Sequence, residues 1–283
     1  YGSTKRPPDS IMQRLDVLLF DIQDVGLRYY TYLSSMHYLM EACAANGKRL
    51  IVLDRPNPNG FYVDGPVLEA KHRSFVGMHP IPVVHGMTLG ELARMIDGEG
   101  WLRDGLRCKL TVIPCRGYTH RSRYRLPTAP SPNLPNMRAV YLYPSLCFFE
   151  GTPISLGRGT DFPFQTYGHP KLQGDFSFTP RSNAGAKNPP LKDKLCHGVD
   201  LRTAPSDERI WERGVDLGYV IDCYRQLNLG EKFFTPMFDR LTGTDYVRQM
   251  ILQGAGADRI KARWADDVER FKQTRKPYLL YEE

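Results

Sequence analysis

Asp21, Asp24 and Arg28, then Asp54, Arg55 and Asn57, then His85 each stand just past a short apolar run, in the motifs Asp21-Ile22-Gln23-Asp24-Val25-Gly26, Asp54-Arg55-Pro56-Asn57-Pro58-Asn59-Gly60 and His85-Gly86-Met87-Thr88. Carboxyls can give or take a proton, an Arg fork suits an anion, and a His can relay protons near neutral pH. Asp and Asn in such positions also cap helices and build turns, and His85 could equally be a satisfied turn-capping side chain. A second group lies further along: Ser131-Pro132-Asn133, Phe148-Phe149-Glu150-Gly151, and Gly157-Arg158-Gly159-Thr160-Asp161. Glu150 beside paired Phe residues could be partly desolvated, which lifts a carboxyl toward the range of a general acid, or it could face solvent. Arg158 between two glycines suits contact with an anionic ligand, because small neighbours allow close approach, or it could brace its own loop.

The elements that must hold these residues read as α/β. Strands are expected at 17–20, 49–53, 81–84, 109–113 and 139–143, with helices at 31–45 and, opened by the capping box Thr88-Leu89-Gly90-Glu91, from residue 89 to about 98. Alternation of this kind implies a Rossmann-like, mostly parallel sheet, whose ligands lie beyond the carboxyl ends of the strands. The stretch 162–205 is rich in Pro, Gly, Asn and Lys and reads as a long loop. It suggests a Rossmann-like domain over 1–165 and a smaller α/β subdomain over 166–283, with a cleft facing the polar strand ends. In the latter, helical periodicity returns at 206–228, 244–253 and 257–273.

The 283 residues are 41% hydrophobic and 24% charged, the balance of a globular chain, and no run of 18 apolar residues could span a membrane. The net charge of +7 favours an anionic partner, an acidic sugar or polymer. Nucleic acid is disfavoured, because the basic residues are scattered and lack a binding-module motif. Six cysteines form no Cys-x-x-Cys pair, and Cys108 and Cys115 are expected not to pair. Serine-hydrolase, zincin, phosphate-loop and dinucleotide signatures are missing, so neither cofactor nor metal is implied. The first residues, Tyr1-Gly2-Ser3-Thr4, carry no Met and suggest a processed or trimmed product. The residues alone leave a hydrolase or a binder of a polar, anionic ligand.

These blocks, in this order, resemble the exo-β-N-acetylmuramidase family: Phe20 through Gly26 with Tyr30-Thr31-Tyr32, Leu53 through Pro58, His85 through Thr88 with Gly90-Glu91-Leu92-Ala93, Ser131-Pro132-Asn133, Phe149 through Thr152, Gly157 through Thr160, and the closing Lys276 through Tyr281. The resemblance implies a glycoside hydrolase that removes terminal β-linked N-acetylmuramic acid from peptidoglycan fragments, in the periplasm or outside the cell. Asp21, Asp24 and Glu150 become the carboxyls to test, with His85 supporting proton transfer. Substrate contacts are expected from Arg28, Tyr30, Tyr32, Asp54, Arg55, Asn57, Ser131, Asn133, Arg158 and Thr160, with Arg158 on the lactyl carboxylate. The alternative is a non-catalytic saccharide-binding protein or a sugar-phosphate enzyme using the same cleft. Two departures are evident: family members carry, upstream of the first block, a Gly-Pro-Glu-His-Gly segment whose Glu is a leading catalytic candidate, and Arg116-Gly117-Tyr118 stands where a Trp-Arg-Arg run is more usual.

Overall fold

The computed structural model describes residues 4–283; residues 1–3, at the Met-less start, lie outside the described residues. The chain forms two compact units. One holds the described residues through Val63, Arg73–Tyr124 and Glu269–Glu283, and the other Asp64–His72 and Arg125–Val268. No border falls at the expected residue 165. Residues 125–165 group with the later part of the chain, because the helix at Met137–Leu146 and the 3-10 turn after it pack on later helices of the second unit.

In the first unit a short helix α1 (Asp9–Met12) precedes β1 (Val17–Phe20), α2 (Tyr32–Ala45), β2 (Arg49–Leu53), α3 (Leu89–Gly98) and β3 (Lys109–Ile113). The strands form a parallel sheet in the order β1-β2-β3, with Leu18 beside Leu50 and Leu50 beside Leu110. Alternation in β2 turns Leu50 and Val52 into the core, where α2 and α3 cover one face. α2 buries Leu33, Met36, Met40 and Cys43 at three- and four-residue spacing. α3 starts with the expected capping box: Thr88 Oγ1 accepts from the Glu91 amide at 3.2 Å, and a Glu91 carboxylate oxygen accepts from the Thr88 amide at 2.9 Å.

The segment 81–84 is not a strand. Pro80 and Pro82 lack amide donors, so only an isolated bridge from Val84 to Leu27 forms, although Ile81, Val83 and Val84 are fully buried.

In the second unit the expected strand at 139–143 is instead helix α4 (Met137–Leu146). The Asn136 side chain caps it by accepting from the Ala139 amide at 3.0 Å. It is buried nearly all round, which leaves no amphipathic period to read. The expected loop at 162–205 contains three short strands, β4 (Thr166–His169), β5 (Phe176–Phe178) and β6 (Cys196–Asp200), in an antiparallel sheet of order β4-β6-β5. Helical residues 206–228 divide at Gly214 into α5 (Asp207–Arg213) and α6 (Gly218–Leu227), followed by α7 (Pro236–Thr242), α8 (Tyr246–Leu252) and α9 (Ala257–Arg275). The expected stripe Ile260, Trp264, Val268 and Phe271 on α9 is buried. All six cysteines are free thiols, and no helix among the described residues is long and apolar enough to cross a membrane.

Candidate active site

The carboxyl ends of β1 and β2 and the segment before α3 are tied into one hydrogen-bonded network in the first unit. Asp21, just past β1, is half-exposed and accepts from Arg55 Nε at 2.6 Å. Its neighbour Asp54, just past β2, accepts from Thr88 Oγ1 and the Tyr281 hydroxyl, both at 2.6 Å, and from the Gly90 amide at 2.8 Å. Burial pushes the Asp54 carboxyl above its ordinary range, against the pull of those three donors. Gly90 is required by contact: a Cβ there would lie 2.6 Å from the Asp54 carboxyl carbon.

Asp24 is the buried acid of the set. One carboxyl oxygen accepts from the Gly26 amide at 2.7 Å, and the other is buried with no partner. Burial raises the group from 3.8 to about 7, outweighing the backbone hydrogen bonds from Gly26 and Val25. Asn57 locks this turn to the next segment. Its amide nitrogen donates to the Met87 carbonyl at 2.8 Å and its oxygen accepts from the Asn59 amide at 2.8 Å. It lies so close to Gly26 that a Cβ at that residue would meet the Asn57 oxygen at 2.0 Å, and Gly26 also has a φ of +81°.

His85 is fully buried. Its Nδ1 accepts from the Met87 amide at 3.2 Å, which places the ring proton on Nε2, a buried nitrogen with no partner. Burial, then the positive charges of Arg275 and Arg28, push the imidazole down to about 3, so it is neutral near pH 7. Arg28 is buried too and donates to the Ile81 carbonyl at 2.8 Å. Tyr30 and Tyr32 meet edge to face with centroids 5.0 Å apart. Asp21, Asp24, Arg28, Asp54, Arg55, Asn57 and His85 thus belong to one edge of the first unit.

Ser131, Asn133, Glu150, Arg158 and Thr160 belong to the second unit. The Glu150 carboxylate, one-third exposed, accepts from Arg158 Nε at 3.0 Å and from Arg158 Nη2, while the same guanidinium lies over the Phe164 ring at 4.8 Å. Arg158 is thus held by Glu150. Thr160 and Ser131 serve their own turns: Thr160 Oγ1 donates to the Gly157 carbonyl at 2.6 Å and Ser131 Oγ accepts from the Asn133 amide at 3.2 Å. Asn133 donates to the Gly185 carbonyl at 2.9 Å.

Sequence reasoning missed several partners. Tyr281 on Asp54, Arg275 donating to the His85 and Gly86 carbonyls at 3.2 and 2.6 Å, and the buried pair of His120 and Glu91 at 3.0 Å all involve residues remote in the chain. No local spacing announces them. In the second unit Glu69, His72 and Asp245 each offer a ligand atom within 4.8 Å of one another, a set that could hold a cation. Lys71 Nζ already neutralises that pair of carboxylates, 3.2 Å from Glu69 and 2.9 Å from Asp245.

The chemistry available is that of carboxyls in contrasting surroundings. Asp24 is a proton donor or acceptor at neutral pH, Asp21 is an accessible carboxylate beside a cation, and the Glu150 and Arg158 pair offers one more of each.

Comparison with known proteins covers the whole chain. Residues 1–138 match the family model of the N-terminal part of exo-beta-N-acetylmuramidase NamZ, and residues 141–281 match that of its C-terminal part. The peptidoglycan beta-N-acetylmuramidase NamZ of Bacillus subtilis (strain 168) is 36% identical to this chain, over 99% of this chain and 71% of that protein. A crystal structure of a DUF1343 family protein from Bacteroides fragilis NCTC 9343 shares 61% identity at a TM-score of 0.96, over 99% of this chain and 79% of that one. A second DUF1343 family protein from the same organism shares 27% identity at a TM-score of 0.81, over 100% of this chain and 79% of that one.

Proposed function

The chain belongs to the exo-β-N-acetylmuramidase family, and from that premise we propose that it is a glycoside hydrolase releasing terminal β-linked N-acetylmuramic acid from peptidoglycan fragments. The observation that carries the chemical part is Asp24, a carboxyl raised to about 7 at a strand end that also presents an accessible carboxylate. Glycoside hydrolysis needs one carboxylic acid that still holds its proton at working pH and one group that is ionised. Asp24 takes the first role and protonates the glycosidic oxygen. Asp21, kept in place by Arg55, supplies negative charge to the oxocarbenium-like transition state.

His85 acts as a neutral positioning group. Its Nδ1 fixes the Met87 amide, and Met87 in turn accepts from Asn57 against the Asp24 turn. Tyr30 and Tyr32 give the sugar an aromatic edge, while Arg28, Asp54 and Asn57 hold the surrounding backbone. In the second unit Arg158 is the cation we assign to a carboxylate of the glycan, which would displace Glu150 from it. Ser131, Asn133 and Thr160 shape the loops of that region. We propose a periplasmic or extracellular location, on the strength of the peptidoglycan-derived substrate alone.

Incubating the full-length protein with a chromogenic β-glycoside of N-acetylmuramic acid tests the reading. Release of chromophore, together with indifference to the matching N-acetylglucosaminide, is the expected result. A protein that binds the compound and releases nothing at any pH would be a saccharide-binding protein instead.

A further inference from the structure

The first unit contains a hollow of about 650 Å³ that the mechanism above does not use. Arg121, Arg123, Lys272 and Arg275 line it, with Phe61 and Tyr62 as its aromatic wall and Glu283 as its acid. Lys272 is also paired with Glu269 at 2.6 Å and Arg121 lies 3.7 Å from Glu282, so the lining, with four cations and the one acid, is cationic on balance. The Arg123 guanidinium lies flat over the Phe61 ring, 3.6 Å from its centroid, and the Phe61 and Tyr62 rings are 5.0 Å apart. A flat apolar surface edged by guanidinium groups suits a sugar ring that bears a charge.

Arg275 supplies the second, independent observation. Its side chain is 6% exposed, and its Nε is buried without a partner. Nη1 donates to the carbonyls of His85 and Gly86, which fixes the guanidinium and leaves Nη2 for an ionic partner. That partner is the Glu283 carboxylate, from a side chain that is 48% exposed, and Arg121 donates to the Glu283 main-chain oxygen at 2.6 Å. A rigid, buried cation is thus matched to an exposed acidic side chain. Such an acid can be exchanged for the carboxylate of a ligand, because the exchange keeps the buried guanidinium paired while the half-exposed Glu283 side chain can return to water.

We propose that this hollow is a second binding site for a carboxylate-bearing saccharide, whose carboxylate replaces that of Glu283 on Arg275 while its ring lies against Phe61 and Tyr62. The choice of saccharide rests on the proposed function, because a muramic residue that carries no peptide exposes its lactyl carboxylate, and a glycan with several such residues offers more than one anion. Every residue that lines the hollow belongs to the first unit, whereas Arg158 belongs to the second.

Calorimetric titration of the full-length Arg158→Ala protein with N-acetylmuramic acid tests the proposal, since that background removes the other assigned carboxylate contact. Saturable binding should remain. Adding Arg123→Ala should weaken it about tenfold or more, and adding Glu283→Gln should tighten it about threefold to tenfold by removing the competing acid. N-acetylglucosamine, without the carboxylate, should bind at least about tenfold more weakly. Absence of binding in the Arg158→Ala background, equal binding of the two sugars, or binding unmoved by both added substitutions would overturn the site. Because no hydrolysis is read, failure here leaves the proposed activity standing, and an inactive protein that behaves as expected here would refute the activity alone.

Discussion

Replacing Asp24 with Asn should change how stability depends on pH more than it changes stability itself. The carboxyl rises from 3.8 to about 7 on folding, so between those values the folded chain holds a proton that the unfolded chain has released. Stability therefore falls as pH climbs through that window, by up to about 4 kcal/mol at about 1.4 kcal/mol per pH unit. Water penetration around an ionised buried carboxylate relieves part of this, so about 2 kcal/mol is the working expectation. Asparagine keeps the oxygen that accepts from Gly26 and never ionises. Between pH 5 and pH 8 the urea midpoint of the natural protein should then fall, relative to that of Asp24→Asn, by the equivalent of about 2 kcal/mol. Buried histidines such as His85 act in the opposite sense, losing stability as pH drops from 6.5 toward about 3, and they cancel in the comparison because both proteins contain them. Parallel pH curves for the two proteins would refute the elevated Asp24 carboxyl, and with it the role of proton donor.

Gly26→Ala combines a φ of +81° with a Cβ 2.0 Å from the Asn57 oxygen, and should cost more than about 2 kcal/mol in denaturant unfolding; Gly47→Ala, at φ +64° with open space around it, should cost about 1 kcal/mol. Tyr281→Phe removes one of the donors to Asp54 and should lower stability by about 1.5 to 3 kcal/mol, measured in the same way, because the acceptor is a part-buried carboxylate. Arg55→Ala should change stability by less than about 1 kcal/mol, since both members of its pair with Asp21 are nearly half exposed, yet reduce kcat/KM more than about tenfold if Asp21 must be held in place. A variant with full activity would remove Arg55 from the site.

Local pattern was enough for β1, β2, β3, α2 and α3, because the strands are short Leu-rich or β-branched runs, α2 carries a three- and four-residue spacing and α3 its own capping box. It failed where apolar residues run without a period. Val140, Tyr141, Leu142 and Tyr143 favour a strand by type, but Asn136 caps a helix that is buried nearly all round. Ile81, Val83 and Val84 are strand-like residues, but Pro80 and Pro82 on either side of Ile81 cannot donate to a ladder. The strands hidden in 162–205 are three to five residues long, with glycines at 168 and 198 where β4 and β6 pair, and their pairing is a matter of contact rather than of composition. The candidate site was legible on the same terms. The strand-end rule picked out Asp21, Asp54 and His85 in one unit, where hydrogen bonds join Asp21 to Arg55, Arg55 to Asp54 and Asp54 to Thr88, while His85 holds the Met87 amide beside Thr88. Tyr281 and Arg275 join that edge from about 190 residues or more away, which no spacing rule reaches.

The most direct test of the account compares leaving groups. Full-length natural protein and Asp24→Asn would be assayed on a β-linked N-acetylmuramic acid disaccharide, whose leaving hydroxyl needs a proton, and on an aryl glycoside, whose leaving group does not. Asp24→Asn should lose roughly two to four orders of magnitude in kcat on the disaccharide and much less on the aryl glycoside, as the loss of a general acid requires. Equal losses on both substrates would contradict the assignment of Asp24, and a natural protein that cleaves neither would contradict the proposed hydrolysis itself.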